Sequence, residues 1–254
     1  MLSTLAGRPQ YGLFLGIPCA ELAEMAALAG FDFIVLDGEH GRIPPADIYP
    51  LLMAAKAAKA GIAVYYRLAG TSARDAALAM DAAVDGIIVP QVSFANQLRP
   101  IIAACRFAPE GERGVHPAVR AARYGLRPHG DYLTGANRES VIVAQVEGEA
   151  ALQNLPEILN CPGLNGIFVG PYDLSQSLGI PGQVEHPLVT EALADIAQAA
   201  QQSGIPFGSF AGTAAAVKQA TKLGYSFLGV SIDTLLISRA MHSLVSSLHQ
   251  VTTQ

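Results

Sequence analysis

Two acidic residues stand where hydrophobic runs stop. The run Asn165-Gly-Ile-Phe-Val-Gly-Pro-Tyr-Asp-Leu174 reads as a buried strand ending in a turn that presents Asp173. A second run, Ser140-Val-Ile-Val-Ala-Gln-Val-Glu147, stops at Glu147 with Gln145 two residues before it. Acids at the ends of two separate strands suit a hard divalent cation such as Mg²⁺, Mn²⁺ or Co²⁺, whose other positions stay open for water and substrate. The competing structural readings are ordinary ones: Glu147 as the N-terminal cap of the next helix, and Asp173 as a cap for a helix starting at Leu174. The pair, with Gln145 and the turn residue Gly170, favours the metal.

His40, in Leu-Asp-Gly-Glu-His-Gly, is preceded by two acids, either of which could orient its ring and raise its basicity; it is the one catalytic candidate among six histidines. His116 and His129 fall in a long connection and are candidates for substrate contact. His186, His242 and His249 read as surface or cap residues. Arg67 ends the run Ala-Val-Tyr-Tyr-Arg, where a charge at a buried strand end points to an anion or a developing negative oxygen, or else to a salt bridge with a neighbouring acid. The four lysines, Lys56, Lys59, Lys218 and Lys222, all lie in helical stretches. A Schiff-base mechanism needs a desolvated lysine in the pocket and is therefore disfavoured.

Elements that would bring these residues together recur along the chain. Short β-branched runs alternate with Ala/Leu-rich stretches of helical period, the pattern of βα units around a parallel sheet. Eight strands are expected: Gly12–Gly16, Phe31–Leu36, Ala63–Arg67, Gly86–Val89, Val141–Val146, Gly166–Val169, Pro206–Phe210 and Phe227–Val230. Helices are expected over Ala46–Ala60 and Pro187–Ser203, the second opened by a first-turn proline, with stops at Gly30, Gly61 and Gly204. Eight units in 254 residues suit a single closed (β/α)₈ barrel, which typically takes about 250 residues; an open doubly wound sheet is the alternative. In a barrel, Asp37, Glu39, His40, Arg67, Gln91, Glu147, Asp173 and Asp233 all fall after strands, at the carboxyl face.

Composition narrows the class. With 51% hydrophobic and 15% charged residues the chain can fill a large core, and its net charge of −5 with no basic run excludes a nucleic-acid footprint. Three widely spaced cysteines, Cys19, Cys105 and Cys161, read as reduced thiols. The first residues lack a signal-like apolar region, and no run reaches the roughly 18 apolar residues of a membrane span. A cytoplasmic protein without membrane partners follows. The connection Arg106–Glu139 is longer than the rest and holds six of the twelve arginines; it is expected either to recognise the far end of a substrate or to contact another subunit.

Taken together, Leu-Asp-Gly-Glu-His-Gly (36–41), Arg67, Ala-Gln-Val-Glu (144–147), Arg-Phe-Ala-Pro-Glu-Gly-Glu-Arg-Gly-Val (106–115), Arg-Ala-Ala-Arg-Tyr-Gly (120–125) and Phe-Val-Gly-Pro-Tyr-Asp-Leu (168–174) resemble the HpcH/HpaI aldolase family from about Gly12 to Ala240. The resemblance implies a class II pyruvate aldolase on a (β/α)₈ barrel of the phosphoenolpyruvate/pyruvate type. It implies a hexamer of two trimers with the C-terminal helix exchanged between subunits. By resemblance, Glu147 and Asp173 ligate the ion and Gln145 supports them. Pyruvate or its enolate chelates the ion, and its carboxylate meets the backbone around Gly170, Pro171, Tyr172 and Asp173. Arg67 stabilises the keto oxygen, and His40, held by Asp37 or Asp81, takes the C4 hydroxyl proton of a 4-hydroxy-2-oxo acid. Arg120 and Arg123 are expected on the aldehyde side, favouring a carboxylated or polyhydroxylated aldehyde. The segment Pro-Gln-Val-Ser-Phe (90–94), the pair His116-Pro117 and the end Val-Ser-Ile-Asp (230–233) depart from the family pattern on that same side. Two other readings compete: a siderophore-type citrate synthase joining oxaloacetate to acetyl-CoA on the same metal site, and a carboxylate-binding or assembly barrel without turnover.

Overall fold

The computed structural model describes residues 2, 4, 5 and 7–252. Its elements run β1 (Gln10–Leu15), α1 (Ala20–Leu28), β2 (Phe33–Asp37), α2 (Ile48–Ala58), β3 (Ala63–Arg67), α3 (Ala73–Asp81), β4 (Gly86–Val89), α4 (Arg99–Cys105), α5 (His129–Glu139), β5 (Val141–Val146), α6 (Glu149–Gln153), α7 (Leu155–Leu159), β6 (Gly166–Val169), α8 (Pro171–Ser177), α9 (Pro187–Ser203), β7 (Phe207–Phe210), α10 (Ala214–Lys222), β8 (Phe227–Ile232) and α11 (Asp233–Thr252). All neighbouring strands pair in parallel, and β8 returns to β1, so the sheet closes into the expected (β/α)₈ barrel. The open-sheet alternative is excluded by that last pairing.

Strand alternation sorts the side chains into two layers. Phe14, Phe33, Val35, Tyr65, Ile88, Val141, Val143, Phe168 and Phe227 point inward and fill the barrel, with Phe33 packed edge-on against Tyr65 and Phe227. Ile34, Leu36, Val64, Tyr66, Ile87, Ile142, Ala144 and Ile167 point outward and join the larger core beneath the helices. Continuing the inward parity of β2, β3 and β5 by one step past the aromatic layer reaches Asp37, Arg67 and Gln145. The lumen thus changes from hydrophobic to charged at its carboxyl end.

The observed borders of β3, β4, β5 and β6 coincide with those expected from sequence. β2 begins at Phe33 instead of Phe31, because the Asp32 carboxylate is taken up by Arg8 and by the Tyr11 amide. β8 continues to Ile232 because its pairing with β1 persists that far after a register shift. α9 opens at Pro187 with the His186 ring capping the Leu188 amide, and Gly204 ends it with φ 67. α2 stops at Ala58 with Lys59 as its cap, so Gly61 lies beyond the helix end.

The long connection is not structureless. It carries α5 and a tight helical turn over Arg120–Gly125, in which Arg123 and Tyr124 have φ of 50° and 55°. A small core of its own, Phe107, Ala122, Tyr132 and Ala136, holds it down. Among the described residues no helix is long and apolar enough to cross a membrane.

The aromatic filling leaves no room beside β1. A methyl group at Gly12 would collide with the Phe33 ring. Gly12→Ala is therefore expected to destabilise the fold by about 1–3 kcal/mol through overpacking, read as a lowered midpoint in urea unfolding.

Candidate active site

Charge gathers at the carboxyl mouth of the barrel. Arg67, 7% exposed, donates through Nε to Asp37 Oδ1 at 2.8 Å and through Nη2 to Asp37 Oδ2 at 2.7 Å. Its Nη1 lies 3.0 Å from Glu39 Oε2 and 3.4 Å from Gln145 Oε1, and the guanidinium sits over the Phe14 ring. Burial works against this charge, but the Asp37 hydrogen bonds and the fields of Asp37, Glu39 and Glu147 outweigh it and hold the pKa above the usual arginine value. The sequence offered two partners for Arg67, an anion or a strand-end acid. The structure shows the acid, with Nη1 turned toward the mouth.

Glu147 does not cap a helix: α6 is capped by Gly148 without side-chain help. Instead Glu147 accepts the Gln91 amide on Oε1 at 3.0 Å and the Gln145 side-chain amide on Oε2. Burial pushes its pKa up to about 7, and the nearby charges of Asp173 and Glu39 push in the same direction against the Gln145 and Gln91 hydrogen bonds. Asp173 lies in the first turn of α8, whose N-cap is Gly170. A Cβ placed on Gly170 would lie 2.9 Å from Glu147 Oε2 and 3.2 Å from Asp173 Oδ2. Both carboxylates therefore close on one small space that glycine leaves open.

That space fits a hard divalent cation. Its donors are carboxylate oxygens, the buried Glu147 is repelled by the exposed Asp173, and a dication would offset the penalty that raises the Glu147 pKa. Among the described residues there is no cluster of three or more acid, histidine or cysteine ligands, so the protein would supply two ligands and leave the remaining positions open. The first intrahelical bond of α8 runs from the Leu174 amide to the Gly170 carbonyl, which leaves the Tyr172 and Asp173 amides outside the helical ladder, facing an anion's usual place. Pro171 has no amide hydrogen and contributes shape alone.

His40 lies at the rim with 65% of its side chain exposed and Nε2 3.9 Å from Glu39 Oε2. The expectation that Asp37 or Asp81 orients it is corrected. Asp37 is occupied by Arg67 and touches His40 through the backbone amide, at 3.3 Å. Asp81 ends α3, which runs away from the mouth, and it pairs with Arg113 at 2.6 Å near the amino end of the barrel. The carboxylate beside the imidazole is Glu39. Glu39 is one of the two acids that precede His40 in sequence and could orient its ring, whereas the family resemblance pointed to Asp37 or Asp81.

Arg120 and Arg123 lie away from the mouth of their own chain. The connection that carries them follows α4 and leads into β5, so it lies at the amino end of the barrel, where Arg120 donates to the Ala82 carbonyl. Within one chain they do not line the mouth, and neither do His116 and His129. Asp233 is also structural: its carboxylate accepts the amides of Gly16, Ile17 and Thr234, pinning the β1–α1 loop. Lys56 and Lys59 bond to carbonyls at the amino end, and Lys218 and Lys222 lie in α10, so no lysine reaches the mouth. A cavity of about 500 Å³ opens beside Pro171 and Tyr172, toward Phe210, Thr213 and Arg239.

Residues 10–240 match the profile of the HpcH/HpaI aldolase/citrate lyase family. The chain is 35% identical over 247 residues to a 4-hydroxy-2-oxo-heptane-1,7-dioate aldolase of Escherichia coli, covering 95% of this chain and 91% of the relative. A solved HpcH/HpaI aldolase/citrate lyase family protein from Burkholderia cenocepacia superposes with a TM-score of 0.89 at 32% identity, covering 96% of this chain and 95% of that one. The citrate synthase SbnG superposes with a TM-score of 0.87 at 27% identity over the whole of both chains. With an eight-stranded barrel, acids closing on one point at its mouth and a family match along nearly its whole length, the chain is an enzyme belonging to the HpcH/HpaI aldolase/citrate lyase family.

Proposed function

We propose that this enzyme catalyses the reversible retro-aldol cleavage of a 4-hydroxy-2-oxo acid to pyruvate and an aldehyde, with a divalent cation held by Glu147 and Asp173. The observation that carries it is the convergence of the buried Glu147 and the exposed Asp173 carboxylates on the space above Gly170, beside the Arg67–Gln145 pair, with the lysines a Schiff-base route would require held in helices away from the mouth. When bound, Mg²⁺, Mn²⁺ or Co²⁺ supplies a Lewis acid at the keto oxygen. Gln145 holds Glu147 in place, and the Tyr172 and Asp173 amides receive the substrate carboxylate. His40 Nε2 takes the C4 hydroxyl proton as C4 becomes the aldehyde carbon. The electron pair of the C3–C4 bond passes into the pyruvate half, and Arg67 faces the keto oxygen that gathers the negative charge. Protonation at C3 then yields pyruvate.

The reading includes a homo-oligomer. α11 packs chiefly against β1 and β8 and exposes Leu236, Met241, Leu244 and Val245, which supports a terminal helix exchanged between single-domain subunits, as in a hexamer of two trimers. The exposed Val115, Tyr124 and Leu126 favour the subunit-contact role of the arginine-rich segment. Three free cysteines support a cytoplasmic location. The likeness to citrate synthase SbnG favours one second reading, condensation of oxaloacetate with acetyl-CoA; citrate formed faster than pyruvate is released from any 4-hydroxy-2-oxo acid would select it.

Chelation is expected to abolish pyruvate release, Mn²⁺ to restore it, and Glu147→Gln or Asp173→Asn to reduce it by about 10³-fold or more at saturating metal; turnover indifferent to EDTA would remove the cation from the reaction. Arg67→Ala is expected to cost about 10²–10³ in kcat, and near-normal turnover in that variant would leave Arg67 a structural role alone. The raised Glu147 pKa predicts the sign of a pH effect. Folded Glu147 titrates at about 7 against an ordinary 4.5, so the ion-free fold binds this proton more tightly than the unfolded chain does. Its stabilising contribution is full below about 4.5 and is lost as pH rises through about 7, by at most about 3 kcal/mol. Thermal melting of metal-free protein between pH 5 and 8 should therefore fall more in the wild type than in Glu147→Gln, and saturating Mn²⁺ should remove the difference.

A further inference from the structure

The acids and amides at the mouth form a closed ring. Arg67 Nη1 faces Gln145 Oε1, the Gln145 amide donates to Glu147, Glu147 Oε1 accepts the Gln91 backbone amide at 3.0 Å, the Gln91 side-chain amide donates to Glu39 Oε1 at 2.9 Å, and Glu39 Oε2 returns to Arg67 Nη1 at 3.0 Å. Gln91 occupies two adjoining links, one through its backbone and one through its side chain. It comes from the loop after β4, where it adopts φ of 53°, the left-handed region in which a residue with a side chain is uncommon. Such strain persists where surrounding structure holds it, and it gathers at functional sites.

Glu39 is the member that needs this help. Its side chain is 6% exposed, and Oε2, although close to Arg67, makes no aligned hydrogen bond. The aligned hydrogen bond on its carboxylate comes from Gln91. Glu39 in turn stands between the Arg67 guanidinium and the His40 ring.

We propose that Gln91 is a positioning residue, which by pinning Glu39 sets the direction of the Arg67 Nη1 hydrogens and the lie of the His40 ring. The proposal rests on the aldolase reading for the purpose of that geometry. It separates the two links: the backbone amide serves Glu147 and the cation, and the side-chain amide serves Glu39 and the developing oxyanion.

The test is Gln91→Met, which keeps the backbone amide and the side-chain length and removes the donor, made alone and together with Glu39→Met. Two measurements are made: pyruvate release from 4-hydroxy-2-oxo acids, and calorimetric binding of Mn²⁺ followed by oxalate, a planar dianion that imitates the charge of an enolate. Gln91→Met is expected to keep the melting temperature and the Mn²⁺ affinity, to weaken oxalate binding about tenfold, and to lower kcat about tenfold with KM within about twofold. In the Glu39→Met background the same change is expected to have no further effect on oxalate, since an interaction already broken cannot be lost twice. Equal losses in both backgrounds, a loss confined to Mn²⁺ affinity, or no change in oxalate binding overturns the proposal, as does failure of the Mn²⁺-loaded wild type to bind oxalate. A wild type that binds oxalate but cleaves no 4-hydroxy-2-oxo acid defeats the aldolase reading, and the oxalate cycle still decides the role of Gln91.

Discussion

One guanidinium among three carboxylates, with a fourth beside the last of them, is the constraint from which the mouth of this barrel is built. Asp37, Glu39 and Glu147 surround Arg67, Asp173 adds its charge to that of Glu147, and most of this set is withdrawn from water. Like charges in a medium of low dielectric cannot all remain ionised without compensation. The protein offers two partial remedies, the bidentate Arg67–Asp37 pair and neutral amide donors from Gln145 and Gln91. Burial first, and then the nearby charges of Asp173 and Glu39, hold the Glu147 proton well beyond the ordinary carboxylate range. A dication between Glu147 and Asp173 would complete the balance, and the same imbalance would favour its binding.

The barrel makes such a concentration of charge tolerable because its lower lumen is filled by rings. Phe14, Phe33, Tyr65, Phe168 and Phe227 stack beneath the acids and fix the strand ends. Asp37, Arg67 and Gln145 are then carried on strands whose inner faces are already packed, Glu147 stands one step beyond such a strand, and Glu39, His40, Gln91 and Asp173 follow within four residues of a strand end. Orientation is therefore inherited from strand parity, and loops contribute the finer placement: Gln91 through a strained backbone, Gly170 by leaving room, and Asp233 by gripping the β1–α1 loop.

The two ends of the barrel have separate tasks. The carboxyl end holds the acids, and the amino end carries the arginine-rich segment on its own small core, with Asp81 and Arg113 paired beside it. Arginines that looked like substrate ligands are thereby placed a barrel length from the acids of the same chain. The exposed apolar side chains of that segment and of α11 lie outside the barrel proper, where a second copy of the chain has access to them.

Strand and helix periods were legible in the residues themselves, since runs such as Val141–Val146 and Gly166–Val169 are too short and too β-branched to be anything but buried strands. So was the gathering of Asp37, Arg67, Gln145, Glu147 and Asp173, because residues that follow strands in a closed parallel barrel must share one end. Contacts between particular side chains were not legible. Which acid Arg67 would grip, that Glu39 and not Asp37 or Asp81 would stand beside His40, and that Gln91 would bind two acids from one strained residue depend on distances across the lumen that no spacing along the chain encodes. Asp81 and Arg120 show the reason most plainly: a helix reverses the chain's direction between one strand and the next, so position in sequence names a residue's neighbours along the chain, while closure of the sheet decides which end of the barrel it serves.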